Sequence, residues 1–288
     1  MIKEKMDQIL TKVAAINDLS CLGGASLSQI IPILSAMGIK TYPVPTVVLS
    51  THSGGYEDYT YHDLTSHMKD QKNHWLNLGV HFDAIYSGFL GSSEQIVIVE
   101  DYIDNFKKDN SVMLIDPVMG DKGEIYSSID EDIISEMRKL VSKSDIITPN
   151  LTEAFLLADM KYKANPDEKD LKILLNKLKK LQTKSIVITS FPCPKGQLSN
   201  IVFQKGVYKI YSNEKINSDF PGTGDIFASV LLGAYLNGRD LNESTKIASN
   251  FVKNAIKDSI DKDYSHRSGV LLENQLHRLY DLNRFYKA

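Results

Sequence analysis

Gly222-Thr223-Gly224-Asp225 stands directly before an apolar pattern of helical period formed by Phe227, Val230, Leu231, Ala234 and Tyr235. Gly238 falls where that helix is expected to stop. Two glycines allow a tight turn and let backbone amides approach a ligand closely. The first turn of a helix leaves four amides without intrahelical acceptors and carries partial positive charge. Together they form a cradle for a phosphate or for the negative charge of a transition state. Asp225 sets a carboxylate beside that anion site, where repulsion from a bound anion disfavours an idle acid. The position suits a base that takes a proton from a hydroxyl while the amides hold the phosphoryl group under attack. The plainer alternative is a glycine-rich turn ahead of a core helix, with Asp225 as an ordinary first-turn acid. A dinucleotide fingerprint fits poorly, because Phe227 occupies the third glycine position of G-x-G-x-x-G.

Other polar groups follow apolar, β-prone runs. Asp116-Pro117-Val118-Met119-Gly120-Asp121 follows Val112–Ile115, and two acids on such a loop can hold Mg²⁺ through water. Gly123 to Tyr126 continue it as a candidate lid, with Asp121 and Tyr126 as lid residues; a tight turn with solvated acids is the bland reading. Thr148-Pro149-Asn150 follows Asp145–Ile147, and Glu153 lies where a capping-box acid pairs with an Asn150 N-cap. That structural role does not exclude a nucleotide or metal role. Thr189 and Ser190 end another run, where their hydroxyls either meet a phosphate or begin a turn. Asp18 follows the first run and can hydrogen-bond a substrate hydroxyl or ring nitrogen, while Gly23-Gly24 offers a second cradle or a tight connection. His52-Ser53-Gly54 follows the second run; a histidine in a polar loop is more often a surface residue than a functional one.

These segments need a scaffold in which β-runs alternate with helices. Strands are expected at Val13–Ile16, Thr46–Leu49, Asp83–Tyr86, Val112–Ile115, Asp145–Ile147 and Ile186–Thr189, and a hairpin at Ile201–Phe203 and Val207–Tyr211. Helices are expected over Leu27–Met37, most of Tyr59–Leu78, Glu94–Phe106, Glu131–Leu140, Thr152–Ala158, Leu171–Leu181, the segment after Gly222, Glu243–Lys257 and the C-terminus. Such alternation implies an α/β fold, a mostly parallel sheet covered on both faces, with antiparallel strands at one edge. With no repeat or Pro/Gly/Ser-rich linker, residues 1–288 read as a single domain. Ligands of open α/β sheets bind at the carboxyl ends of strands, where the polar segments lie.

Composition excludes several classes. The 288 residues are 42% hydrophobic, enough for a large core. A net charge of -3 argues against nucleic acid or an anionic membrane as partner. Two cysteines, Cys21 and Cys193, form no disulfide framework, and Lys3, Glu4, Lys5 and Asp7 do not resemble a secretion signal; a cytoplasmic location is expected. No transmembrane-length apolar run, P-loop, protein-kinase H-R-D loop, H-E-x-x-H or G-x-S-x-G is present in the sequence.

Taken in order, Gly222-Thr223-Gly224-Asp225 resembles the catalytic motif of the ribokinase-like superfamily. Asp116–Asp121, Thr148-Pro149-Asn150, Glu153 and Ser50-Thr51-His52-Ser53-Gly54 resemble its vitamin B6 branch, the pyridoxal kinases. The resemblance implies a three-layer α/β/α sandwich, usually a homodimer, that uses MgATP, with K⁺ as a candidate monovalent ion. It implies phosphorylation of the 5′-hydroxymethyl of pyridoxal, pyridoxine or pyridoxamine. Asp225 would be the base and Gly222, Thr223 and Gly224 the anion hole. Asp116 and Glu153 would act near Mg²⁺, and Asn150, Thr189, Ser190 and Thr223 would line the ATP side. Asp18, Val47, Leu49, His52, Ser53 and Phe89 would surround the ring. Asp18 stands where many pyridoxal kinases have Ser, Phe89 where some have Tyr, and Ser53 where Thr is usual. Asp18 and Gly23-Gly24 also resemble the hydroxymethylpyrimidine kinases of thiamine synthesis, so that ring stays open as an alternative substrate. A B6-binding protein without turnover is the non-enzymatic alternative.

Overall fold

The computed structural model of the chain describes residues 10–193, 197–214, 216, 218–262 and 264–283. Strand β1 (Thr11–Leu22) carries Val13, Ala14, Ala15 and Ile16 in succession, all fully buried. Such a run has no polar face to offer water, so it must be covered on both sides, as in a parallel sheet fed by crossover helices. β1 accordingly pairs in parallel with β2 (Ile39–Thr51), and helix α1 (Leu27–Ala36) makes the crossover. The pairing shifts register between Asn17 and Leu19, where β2 advances from Pro45 to Val48. Prolines bring no N–H to a ladder, and a bulge beside them re-aims neighbouring side chains. Asn17 and Asp18 are both buried at this bulge.

Beyond β2 come β3 (Tyr61–Asp63), α2 (Thr65–Asn77), β4 (Phe82–Ser87), α3 (Ser93–Phe106) and β5 (Lys107–Ile115). A small hairpin, β6 (Gly120–Asp121) and β7 (Glu124–Ile125), precedes α4 (Glu131–Leu140), β8 (Ile146–Ile147), α5 (Leu151–Leu157) and α6 (Glu168–Leu178). Then follow β9 (Ser185–Cys193), β10 (Gln197–Gln204), β11 (Val207–Glu214), α7 (Thr223–Leu236) and α8 (Leu241–Asp261). The main sheet pairs in the order β11-β10-β9-β8-β5-β4-β1-β2-β3. β5 with β8 and β8 with β9 are parallel, while β10 and β11 at one edge and β3 at the other are antiparallel. The sequence expectation of a mostly parallel sheet is met, with an antiparallel strand at the second edge as well.

The chain divides into two compact units, one from Met1–Ile85, Phe106–Ser111 and Ile216–Ala288, the other from Tyr86–Asn105 and Val112–Lys215. In the first unit, α7 is buried all round from Ile226 to Ala234, where the sequence suggests a single apolar face. It packs against both α1 and α8, so no side of it is left for water. Gly233 makes this possible, since a Cβ there would lie 2.4 Å from the Met37 sulfur.

Tyr59–Leu78 is mostly helical as expected, behind a short added strand, while the C-terminal segment differs from expectation. The stretch from Tyr59 opens with β3, whose exposed Tyr61, His62 and Asp63 gain backbone pairing to Val47–Leu49 before the helix begins. Among the described residues, the place of the expected C-terminal helix is taken by 3-10 turns at His266–Ser268 and Leu276–Leu282. Within the second turn only Leu279 is buried, too narrow an apolar stripe to hold a longer helix.

Candidate active site

In the first unit the bulge of β1 and the start of α7 meet. Gly222 precedes α7 at φ 77°, a conformation that L side chains rarely adopt. A Cβ there would fall 2.4 Å from the Gly24 carbonyl oxygen, so sterics as well as φ require glycine. Gly222 brings no side-chain cap, and the Ile226 N–H is the one that reaches its carbonyl, at 3.0 Å. The amides of Thr223, Gly224 and Asp225 precede the first intrahelical donor, the Ile226 N–H, so they have no acceptor within the helix. Gly224 is exposed, and a Cβ on it would meet nothing within 4 Å. The Thr223 hydroxyl donates to the Phe220 carbonyl at 3.3 Å.

Asp225, half-buried in the first turn, accepts from Asn17 Nδ2 on Oδ1 and from the Ser26 N–H on Oδ2, each at 2.9 Å. Burial, then the nearby Asp18 carboxylate, push its carboxyl up to about 7, against the downward pull of those two donors. Asp18 is buried and accepts from the Ser26 hydroxyl on Oδ1 at 2.5 Å and from the Ser20 hydroxyl on Oδ2 at 2.8 Å. Burial raises its carboxyl as well, opposed by those hydroxyls, its backbone and His52.

His52 is buried, although a loop histidine suggests a surface position. Its Nδ1 accepts from the Gly54 N–H at 3.1 Å, so Nε2 carries the hydrogen donated to the Arg267 carbonyl at 2.7 Å. Gly23, at φ 85°, sits against this ring: a Cβ would lie 2.4 Å from His52 Cδ2. Val47 and Leu49 are buried on β2, and Ser53 is exposed. Phe89 lies in the second unit, half-buried after β4.

The second unit gathers the other acids. Asp116, buried at the end of β5, accepts from the Thr148 hydroxyl at 3.0 Å. Asn150 caps α5 and forms the expected capping box with Glu153. The Glu153 carboxylate accepts from the Asn150 N–H at 2.8 Å and the Met119 N–H at 3.2 Å. Burial first, then the charges of Asp116 and Asp121, hold its carboxyl well above the usual range. Asn150 Nδ2 donates to the Gly120 carbonyl at 2.7 Å and the Gly123 N–H to Thr152 Oγ1 at 2.8 Å, which ties the candidate lid hairpin to the start of α5. Asp121 and Tyr126 are exposed on that segment. Thr189 is half-buried and its N–H donates to the Pro149 carbonyl at 2.9 Å, while Ser190 is exposed at φ 55°.

Two buried acids, Asp116 and Glu153, the first of which raises the proton affinity of the second, form an oxygen-only donor set suited to a hard cation. Glu153 already accepts two backbone N–H bonds, and no group of three or more His, Cys, Asp or Glu converges among the described residues. The pair therefore fits a hydrated Mg²⁺ held through water, the habit of that ion, and not a closed protein cage.

Sequence reasoning did not find Asn17, Ser20, Ser26 or the turn at Arg267 and Ser268, whose carbonyls bind His52 and the Gly24 N–H. Ser26 stands where a Ser signals an N-cap, so its local pattern masks its tie to Asp18. Asn17 carried no signal apart from its place beside Asp18.

The model of the phosphomethylpyrimidine kinase family matches residues 21–269. The chain is similar to the crystal structure, in a form with pyridoxal, of a candidate phosphomethylpyrimidine kinase from Bacteroides thetaiotaomicron, at 39% identity over 94% of this chain and 96% of that one, TM-score 0.90. It is similar to pyridoxal kinase from Lactobacillus plantarum at 30% identity, covering 97% of this chain and 100% of that one, TM-score 0.89. Among curated proteins, a candidate pyridoxal kinase of Schizosaccharomyces pombe is 31% identical over 67% of this chain, which spans 58% of that protein's length. Among the described residues no helix is long and apolar enough to cross a membrane.

Proposed function

We propose, for a chain that belongs to the pyridoxal kinase family of the ribokinase-like fold, that it transfers the terminal phosphoryl group of ATP to the 5′-hydroxymethyl of a B6 vitamer. The observation that carries this reading is the Asp225 carboxyl, held by Asn17 and Ser26 beside the amides of the Gly222 turn with a proton affinity near neutrality. A general base works best when its pKa lies near the working pH. Asp225 takes the hydroxyl proton as the alcohol oxygen attacks the γ-phosphorus in line, and the amides of Thr223 and Gly224 face the charge on the phosphoryl oxygens. Mg²⁺, bound through water near Asp116 and Glu153, would supply neutralisation of the phosphate charge. Asn150, Thr189 and Ser190 are assigned to the nucleotide. Asp18, Val47, Leu49, His52, Ser53 and Phe89 are assigned to the ring, with both His52 nitrogens already engaged and only its ring surface offered to a ligand.

Pyridoxal is favoured as acceptor by the similarity to a structure with pyridoxal and to a pyridoxal kinase. The second reading, phosphorylation of a hydroxymethylpyrimidine, is favoured by the description of the matching family. A coupled ADP-release assay compares kcat/KM for the two rings. A larger kcat/KM for pyridoxal supports the first reading, the reverse order supports the second, and ADP release with neither alcohol rejects both. Asp18→Ala should weaken the ring substrate more than ATP, and equal losses for both ligands would remove Asp18 from the ring.

A further inference from the structure

We infer that Asp18 is also a positioning residue for the base: through Ser26 and Asn17 it fixes the Asp225 carboxylate and sets a second carboxylate close to it, apart from any contact with the acceptor ring. The inference rests on the reading of Asp225 as the base.

Ser26 carries the argument. It begins α1, yet its hydroxyl makes no cap bond. Asp130, Asn150, Asp167 and Asp240, each at the start of a helix, do bond the first turn with their side chains. The Ser26 hydroxyl instead donates to Asp18 Oδ1 at 2.5 Å, while its own N–H donates to Asp225 Oδ2 at 2.9 Å. Its backbone stands at φ 56°, ψ -136°, an unusual conformation for a non-glycine residue. Strained positions of this kind persist where the surroundings over-determine them. One residue thus clasps two acids on two elements.

Asn17 forms the second bridge. Its Oδ1 accepts the Asp18 N–H and its Nδ2 donates to Asp225 Oδ1, both at 2.9 Å. The circuit Asp18–Ser26–Asp225–Asn17 therefore closes on itself, and Ser20 holds the remaining Asp18 oxygen. A bond to one acid alone would orient that acid; a closed circuit makes the position of each depend on the other.

Electrostatics act along the same path. A like charge close by favours the protonated form of Asp225, and the three bonds to Asp18 favour the ionised form of Asp18. The titratable groups facing the pair are each other, His52, and Tyr61, whose hydroxyl is made harder to ionise by burial first and, among its neighbours, by Asp18. Asp18→Asn removes the charge but keeps one acceptor. Ser26→Ala keeps the backbone strain and the N–H to Asp225 and removes only the hydroxyl, so Asp18 loses a bond that favours its charge.

The test follows the Asp225 carboxyl in the full chain by ¹³C NMR across pH, assigned with Asp225→Asn, beside the pH profile of kcat/KM for pyridoxal with MgATP. The inference expects the Asp225 midpoint to fall by roughly one pH unit in Asp18→Asn, the scale of a like-charge neighbour, with the acidic limb of kcat/KM moving alongside. An unmoved midpoint in Asp18→Asn overturns it. If Asp18→Asn does not fold, Ser26→Ala decides by the same criterion. A midpoint that moves in a protein that phosphorylates neither pyridoxal nor the pyrimidine alcohol would retain the coupling and reject the kinase reading instead.

Discussion

Asp225→Asn should cut turnover sharply and, above neutral pH, make the protein more stable. The Asp225 carboxyl holds its proton up to about 7 in the fold, against an ordinary value of 3.8. Between those values the folded state binds more protons than the unfolded chain, so stability falls as pH rises through the window and levels off above about 7. A shift of about three units, at ~1.4 kcal/mol each, sets an upper bound of ~4 kcal/mol on this penalty. Partial exposure of the side chain lowers it to about 2–3 kcal/mol. Asn at this position carries no such penalty. It does turn an amide NH₂ toward either Asn17 Nδ2 or the Ser26 N–H, which leaves one donor without its acceptor at a cost of about 1 kcal/mol. The net expectation is a variant more stable than the parent by about 1–2 kcal/mol near pH 8, about equal to it near pH 4.5, and less stable by about 1 kcal/mol near pH 3, below both values. Loss of a positioned base should lower kcat ~10²–10⁴-fold, with little change in ATP affinity. Urea unfolding at a series of pH values gives the first quantity, and saturating kinetics with pyridoxal and MgATP the second. A stability difference that stays constant across this pH range refutes the account of the raised carboxyl. A fully active variant refutes the base assignment.

The glycines of the turn should separate by role. Gly222→Ala meets both a positive φ and the Gly24 carbonyl at 2.4 Å, so it should cost more than ~1–3 kcal/mol, read by urea unfolding. Gly224→Ala meets only open space, so unfolding should change by less than about 1 kcal/mol while kcat falls through obstruction of the amide beneath it. In the second unit, Glu153→Gln should leave one of the Asn150 and Met119 N–H groups without an acceptor, destabilise the protein by about 1–3 kcal/mol, and raise the Mg²⁺ concentration needed for half-maximal rate. Gly123→Ala would drive a Cβ to 2.7 Å from the Tyr162 ring at φ 87°, so it should loosen the hairpin, seen as faster amide exchange at Gly120–Ile125.

Elements whose pattern was local were legible in the sequence. The buried run Val13–Ile16, the capping box at Asn150 and Glu153, and the helix after Gly222 each announce themselves within a few residues. What the sequence could not carry was set by distance along the chain. Ser26 lies 199 positions from Asp225 and Asn17 lies 208, and no spacing rule joins them. Ser26 in particular shows the sequence signature of an N-cap and performs a different task, because Asp18 competes for its hydroxyl. His52 follows the same logic: a polar loop suggests exposure, but the Arg267 carbonyl, far along the chain, supplies the acceptor that lets it be buried.

Opposed forces on one carboxyl account for why the proposed base sits where it does. The partial positive charge of the α7 start and the two donors from Asn17 and Ser26 favour ionised Asp225. Burial and the Asp18 charge favour the protonated form, and together they prevail up to about 7. An acid left at 3.8 would be ionised at neutral pH yet would hold a proton about 10³-fold more weakly than one at about 7. An acid pushed much higher would already be protonated and could accept nothing. On the proposed function, amides that favour phosphate weaken the neighbouring base, and the crowding that includes Asp18 offsets that loss. On this account the cradle and the second acid belong together: a chain that kept Gly222-Thr223-Gly224-Asp225 but lost the Asp18 charge would keep its anion site and have a weaker base.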